Sequence, residues 1–293
     1  MMPGVVNNLM TSALLRMPDQ NPASSGMQAE NLALCLNNEN VPSRMRHMSK
    51  HLALACAVVA SLWLVNPVRA GTVAEPGRQV ECEFKGANGK TMPYLLYLPE
   101  NYKSQEKWPL VLFLHGRGES DGPLSVVKKW GPPRLAERGE KLPFILASPQ
   151  CPKQESWPQP TQQELLVSLL AELRQEYKVD TTRIYLTGLS MGGYGSWRLA
   201  ADHSELFAAV VPVCGAGRKE DALKLKDLPI WVFHGTEDSA VPFARSKEMV
   251  EAITQAGGSN IRFTTLEHVG HNSWEPAYAT PELWSWMLAQ RRK

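Results

Sequence analysis

The 293-residue chain is short of several things that would point away from ordinary enzyme chemistry. It has five cysteines, none at C-x-x-C spacing and none beside a histidine cluster, so no metal or dithiol signature is present. Charge of one sign is not in excess. Over residues 71–293, Lys plus Arg and Asp plus Glu each number 26, which leaves neither a basic stripe for nucleic acid nor an acidic tail. Long apolar runs are missing too. The apolar segment at residues 52–65 has fourteen residues, too few for a stable membrane span. Beyond residue 70 there is no internal repeat and no low-complexity tract.

The front of the chain differs from the rest. Residues 1–44, rich in Asn, Ser, Met and Pro without a sustained period, read as a disordered stretch or a misassigned start. Residues 45–70 read as a signal peptide. Arg44, Arg46, His47, Lys50 and His51 precede the apolar segment, and small residues at Val68 and Ala70 set a cut after Ala70. A lipoprotein signal at Cys56 and a buried apolar helix are weaker readings of the same stretch. Export leaves residues 71–293 as one domain carrying Cys82, Cys151 and Cys214. Three is an odd number, so at least one thiol is unpaired, and the sequence does not choose a pair for a single disulfide.

Within 71–293, apolar runs and helical periods alternate. Residues 79–84 and 91–98 read as a hairpin around the turn Gly86–Gly89, and 108–114 as a strand buried on both faces. Further strands are expected at 144–147, up to Gly188, at 206–213, 229–233 and 261–266. Helices are expected at 162–177, from Ser190 to Ala201, at 244–256 and at 281–290. This alternation predicts an α/β domain, a mostly parallel sheet with helices on both faces, and no segment long enough for a lid domain.

One stretch organises the chemistry. The apolar run at 183–188 leads into Gly188-Leu189-Ser190-Met191-Gly192, a G-x-S-x-G match between a strand and a helix. Its glycines permit the sharp turn that lifts Ser190 above the sheet edge and aims the first helical N–H groups at whatever the serine attacks. Glycines that merely cap a helix are the bland alternative. A serine hydroxyl needs a base and an orienting acid. Two strands supply candidates at their carboxyl ends: His234, Glu237 and Asp238 after one, His268 and His271 after the next. The order serine, acid, histidine is that of the α/β-hydrolase fold.

The motifs make the resemblance specific. H-G-T-E-D-S-A-V-P at 234–242, V-G-H-N-S-W at 269–274 and L-F-L-H-G-R-G-E at 112–119 resemble the acid, histidine and oxyanion loops of the carboxylesterase and dienelactone-hydrolase-like branch of α/β hydrolases. The likeness spans residues 91–290 in family order. The chain is most similar to secreted esterases or predicted peptidases of the phospholipase/carboxylesterase type, and resembles feruloyl and acetyl-xylan esterases and polyhydroxybutyrate depolymerases. Dienelactone hydrolases carry cysteine where this chain has Ser190, so their lactone substrate is not implied.

The resemblance implies hydrolysis of a small-molecule or polysaccharide-linked ester, with no cofactor, metal or nucleic-acid partner. Carried onto this chain, Ser190 is the nucleophile and His271 the base, with His268 its rival at the strand edge. Asp238 is the acid, with Glu237 its neighbouring competitor. The N–H groups of Met191 and Arg117 form the oxyanion hole. His115 and His234 are expected to pack and hydrogen-bond beneath the site. Trp157, Trp274 and Tyr194 are candidate pocket walls, Tyr194 and Trp197 being equally suited to the core. A serine peptidase of this fold and a catalytically silent binding domain are the competing readings.

Overall fold

The computed structural model describes residues 74–87 and 89–292, so the expectations for residues 1–44 and the signal peptide at 45–70 lie outside the described residues. The described residues belong to one unit, Ala70–Lys293. Its centre is an eight-stranded sheet in the order β1-β2-β4-β3-β5-β6-β7-β8. The strands are β1 (Gln79–Lys85), β2 (Thr91–Tyr97), β3 (Trp108–Leu114), β4 (Ile145–Pro149), β5 (Val179–Leu189), β6 (Ala209–Val213), β7 (Ile230–Gly235) and β8 (Ile261–Leu266). Strand β2 runs antiparallel to β1 and β4, and every pairing from β4 through β3 to β8 is parallel.

Strand β3 explains how one apolar run serves two layers. All seven of its residues are buried. Alternate side chains point to opposite faces of a strand. Leu110, Leu112 and Leu114 join one core with the helix α2 (Pro160–Glu176) residues Leu165, Leu166, Leu169, Leu170 and Leu173. Val111 and Phe113 join the other with Tyr278, Leu283 and Met287. The remaining helices are α1 (Gly131–Glu137), α3 (Met191–Asp202), α4 (Ala222–Leu225), α5 (Ala244–Gln255), α6 (Trp274–Tyr278) and α7 (Pro281–Ala289). None of the helices among the described residues is long and apolar enough to cross a membrane.

Several elements depart from the pattern, the short helices α4 and α6 among them. Strand β5 begins at Val179, four residues before the apolar run at 183–188 shows it. Strand β6 begins at Ala209 because residues 204–206 close into a 3-10 turn. Helix α1 has no apolar period to reveal it. Pro132 and Pro133 occupy its first turn, where a missing N–H costs nothing.

Register decides where the loops collect. Leu114 pairs with Gly188, Leu189 with Val213, Val213 with Phe233 and Gly235 with Leu266. Strands β3, β5, β6, β7 and β8 therefore end at a common edge. The loops carrying residues 115–119, 190, 214–218, 236–242 and 267–273 all emerge there.

Candidate active site

Ser190 stands between β5 and α3 with φ 51° and ψ −115°, a strained conformation for a side chain. Close packing holds it there. A Cβ on Gly192 would run into the carbonyl of Leu114, and one on Gly188 into the carbonyl of Gly192. The Ser190 N–H donates to the Val213 carbonyl at 3.0 Å. The turn cannot relax without moving β3 or β6.

His271 faces the serine. Its Nε2 is 2.8 Å from Ser190 Oγ and its Nδ1 2.8 Å from Asp238 Oδ2. The loop that carries it is tied to the acid loop: the Glu237 N–H donates to the Val269 carbonyl at 3.0 Å, and the Gly235 N–H to Ser273 Oγ at 2.9 Å. The Asp238 side chain is wholly buried. Its Oδ1 accepts the N–H groups of Ala240 at 2.9 Å and Val241 at 2.8 Å. Burial alone would raise the carboxyl's pKa. The hydrogen bonds from His271 and the two amides outweigh burial and hold the pKa below the ordinary carboxylate value.

The rivals are turned elsewhere. Glu237 accepts from or pairs with His268, Oε1 to Nδ1 at 2.9 Å, on the outside of the molecule. His268 is not the half-buried strand-edge residue that the sequence suggests. Strand β8 stops at Leu266, and His268 sits beyond it with φ 59° and an exposed ring. His234 and His115 lie beneath the surface. His115 accepts the Cys151 N–H on Nε2 at 3.0 Å, so its Nδ1 carries the proton and donates to the Gly116 carbonyl at 2.6 Å. Burial drives its pKa down to about 4, which leaves it a neutral structural ring near pH 7.

The two expected oxyanion donors each open a helical turn. Met191 is the first residue of α3, and Arg117 opens the 3-10 turn Arg117–Glu119. First-turn N–H groups have no acceptor within their own helix. Glu119, which sequence reasoning passed over, shapes this loop: its buried carboxylate accepts the Gly116 N–H at 3.1 Å, and burial raises its pKa. The Arg117 side chain is exposed but not free. Its guanidinium donates to the carbonyls of Lys153 at 3.1 Å and Glu155 at 2.5 Å, joining the loop to the one that follows β4.

The aromatic candidates separate. Trp157 is not a pocket wall. It is fully buried, its indole N–H donates to the His115 carbonyl at 3.0 Å, and its Cβ fills the space that Gly195 leaves open. A large ring whose one polar atom is met by the backbone is stable as core, and here it supports the loop that begins at His115. Trp274 does stand at the site, edge-on to the His271 ring with centroids 5.4 Å apart, and next to Trp130 at 5.8 Å. Tyr194 is half-buried and lines a cavity of about 100 Å³ beside α3, together with Trp197, Ala216 and Met249.

Cys82, Cys151 and Cys214 are all free thiols. The fold brings one of them to the site, which no spacing in the sequence reveals. Cys214, with φ 37°, follows β6, and its thiol lies with Asp238 and His271 in a group whose ligand atoms are within 4.8 Å of one another. Burial raises the thiol's pKa well above the usual value. A protonated thiol beside an imidazole and a carboxylate already bonded to each other is a poor donor set for a cation.

A mostly parallel sheet of this order, with a serine on a strained strand-to-helix turn at its carboxyl edge, defines the α/β-hydrolase fold. A family model described as phospholipase/carboxylesterase matches residues 153–279. A crystal structure of a thermostable esterase superimposes with a TM-score of 0.64 at 34% identity, covering 73% of this chain and 63% of that one. Among curated proteins, a bifunctional acetylxylan esterase/xylanase of Neocallimastix patriciarum is 26% identical over 164 residues, 55% of this chain and 23% of its own length. Feruloyl esterase D of Neurospora crassa is 22% identical over 184 residues, 58% of this chain and 61% of its own. The chain thus spans about a quarter of the first relative and about three fifths of the second. It has the α/β-hydrolase fold and is similar to hydrolases of the phospholipase/carboxylesterase type.

Proposed function

We propose that the protein is an exported serine hydrolase that cleaves carboxylic esters through an acyl-enzyme, without a cofactor. The observation that carries this reading is the continuous path Ser190 Oγ, His271 Nε2, His271 Nδ1, Asp238 Oδ2, with 2.8 Å at each hydrogen bond. Asp238 accepts only, so Nδ1 carries a proton and Nε2 is the free base that takes the Ser190 proton as Oγ attacks the ester carbonyl. The oxyanion then forms against the Met191 and Arg117 N–H groups. Collapse expels the alcohol, protonated by His271, and water repeats the sequence to release the acid. Removal of one oxyanion donor in enzymes of this kind costs on the order of 3 kcal/mol of transition-state stabilisation.

The ester-cleaving names of the relatives support the reaction class. Ester-linked groups on small molecules or polysaccharides are the proposed substrates. Export rests on the basic, apolar and small-residue order of residues 45–70, with cleavage after Ala70.

The test is hydrolysis of p-nitrophenyl acetate by the purified protein and by Ser190→Ala. The wild type should release p-nitrophenol, and the variant should lose about 10⁴-fold or more in kcat. Equal turnover by both would remove Ser190 from the chemistry. A p-nitroanilide peptide run alongside separates esterase from peptidase.

A further inference from the structure

The path from serine to carboxylate does not end at Asp238. His234, the penultimate residue of β7, is wholly buried, and both ring nitrogens are engaged. Its Nε2 lies 3.1 Å from Asp238 Oδ2 and 2.9 Å from the Val241 carbonyl. Both partners are acceptors, so Nε2 carries the proton and shares it between them. Its Nδ1 lies 2.7 Å from Ser246 Oγ on α5, and that hydroxyl is 3.0 Å from the Gly215 carbonyl. Phe243 closes the ring in edge-on, centroids 5.8 Å apart. The imidazole is fixed in place and in tautomer.

Asp238 Oδ2 therefore receives two imidazole N–H groups, from His271 and from His234, while Oδ1 receives two amides. We propose that His234 is a positioning residue of this site: it pins Asp238 Oδ2 toward His271. The proposal rests on the ester-hydrolase reading for its kinetic consequences but not for its geometry. With the Ala240 and Val241 amides alone, the carboxylate is held by one oxygen and can turn about its last bond. The His234 N–H removes that freedom from inside the core.

A histidine that merely fills the core would need only the Val241 carbonyl for its proton. The second acceptor at Oδ2 is what such a role leaves unexplained. The other polar groups around the pair do not compete for it. The Cys214 thiol is kept protonated by burial, the Ser246 hydroxyl is neutral, and Glu237 and His268 pair with each other outside. Burial lowers the pKa of His234, only partly offset by Val241 and Asp238, in keeping with a neutral donor near pH 7.

The test compares wild type with His234→Phe and His234→Gln on p-nitrophenyl acetate over pH 5–9. His234→Phe should lower kcat about 10- to 100-fold, the loss expected for one hydrogen bond to a charged group. KM should stay within about twofold. His234→Gln, which keeps a donor, should recover most of the lost kcat. A kcat unchanged in His234→Phe, or one lowered together with the unfolding temperature and not recovered in His234→Gln, would make His234 a packing residue and overturn the proposal.

A second measurement needs neither variant nor turnover. In ¹⁵N-labelled wild type, the His234 Nε2–H resonance should shift as His271 is protonated by lowering the pH, because both share one oxygen. A His234 signal that ignores the titration of His271 contradicts the proposal, whether or not the protein proves to be an esterase.

Discussion

Ser190 and Asp238 are held at the same sheet edge by opposite means. The serine is held by backbone: carbonyls of Leu114 and Gly192 press where a Cβ would stand on Gly192 and Gly188, so the turn has one shape. The aspartate is held by donors: two amides and two imidazoles converge on its carboxylate. Steric locking is indifferent to pH and intolerant of one added carbon. Donor locking tolerates volume changes and depends on protonation. The two halves of the site should therefore fail in different ways.

The largest expected effect is on the donor side. Asp238→Asn keeps the shape but cannot stabilise the protonated His271, and kcat should fall ~10³- to 10⁴-fold while the unfolding temperature changes by only a few degrees. Glu237→Gln, one residue away and paired with His268, should stay within about twofold. Assays of both on one ester decide between them, and a reversed order would mean that the acid is Glu237.

On the steric side, Gly192→Ala should act on stability before activity. Its methyl group meets backbone of β3, which has no room to give, so a loss of about 3 kcal/mol or more is expected in denaturant unfolding. Near-normal stability would show that the turn is softer than the close approaches imply.

The third prediction places a pH signature in the loop that follows β3. The folded pKa of His115, about 4, lies below its ordinary value of 6.5. Its contribution to stability is then complete above pH 6.5 and is lost as the pH falls toward 4, where the unfolded ring takes a proton that the folded one refuses. The loss amounts to up to about 3 kcal/mol. Unfolding measured at pH 7 and pH 4.5 should show this difference in the wild type and a smaller one in His115→Asn.

The same contrast explains what could be read in advance. Steric locking leaves its mark in the sequence, because only glycine fits where backbone meets backbone, and Gly188-Leu189-Ser190-Met191-Gly192 located the turn. Strand β3 was legible to the residue from its apolar run, and β8 matched its expected bounds as well. Donor locking leaves little trace. Nothing local distinguishes Asp238 from Glu237; only the family spacing before Val241-Pro242 separated them, and the fold then turned Glu237 outward. Glu119, Cys214 and Ser246 reach the site through contacts that no spacing encodes. Trp157 was misplaced for the same reason: a tryptophan in a proline-rich loop reads as a pocket wall, and only the space beside Gly195 shows that it is core. Helix α1 escaped because two prolines and no apolar period mark it.

The central claim is that Ser190 owes its reactivity to His271, and covalent labelling tests it most directly. A fluorophosphonate should add once to the wild-type protein, at Ser190 by peptide mass, and should leave His271→Asn unmodified over the same time. A wild-type chain that stays unlabelled, or a His271→Asn chain labelled just as fast, would contradict the account.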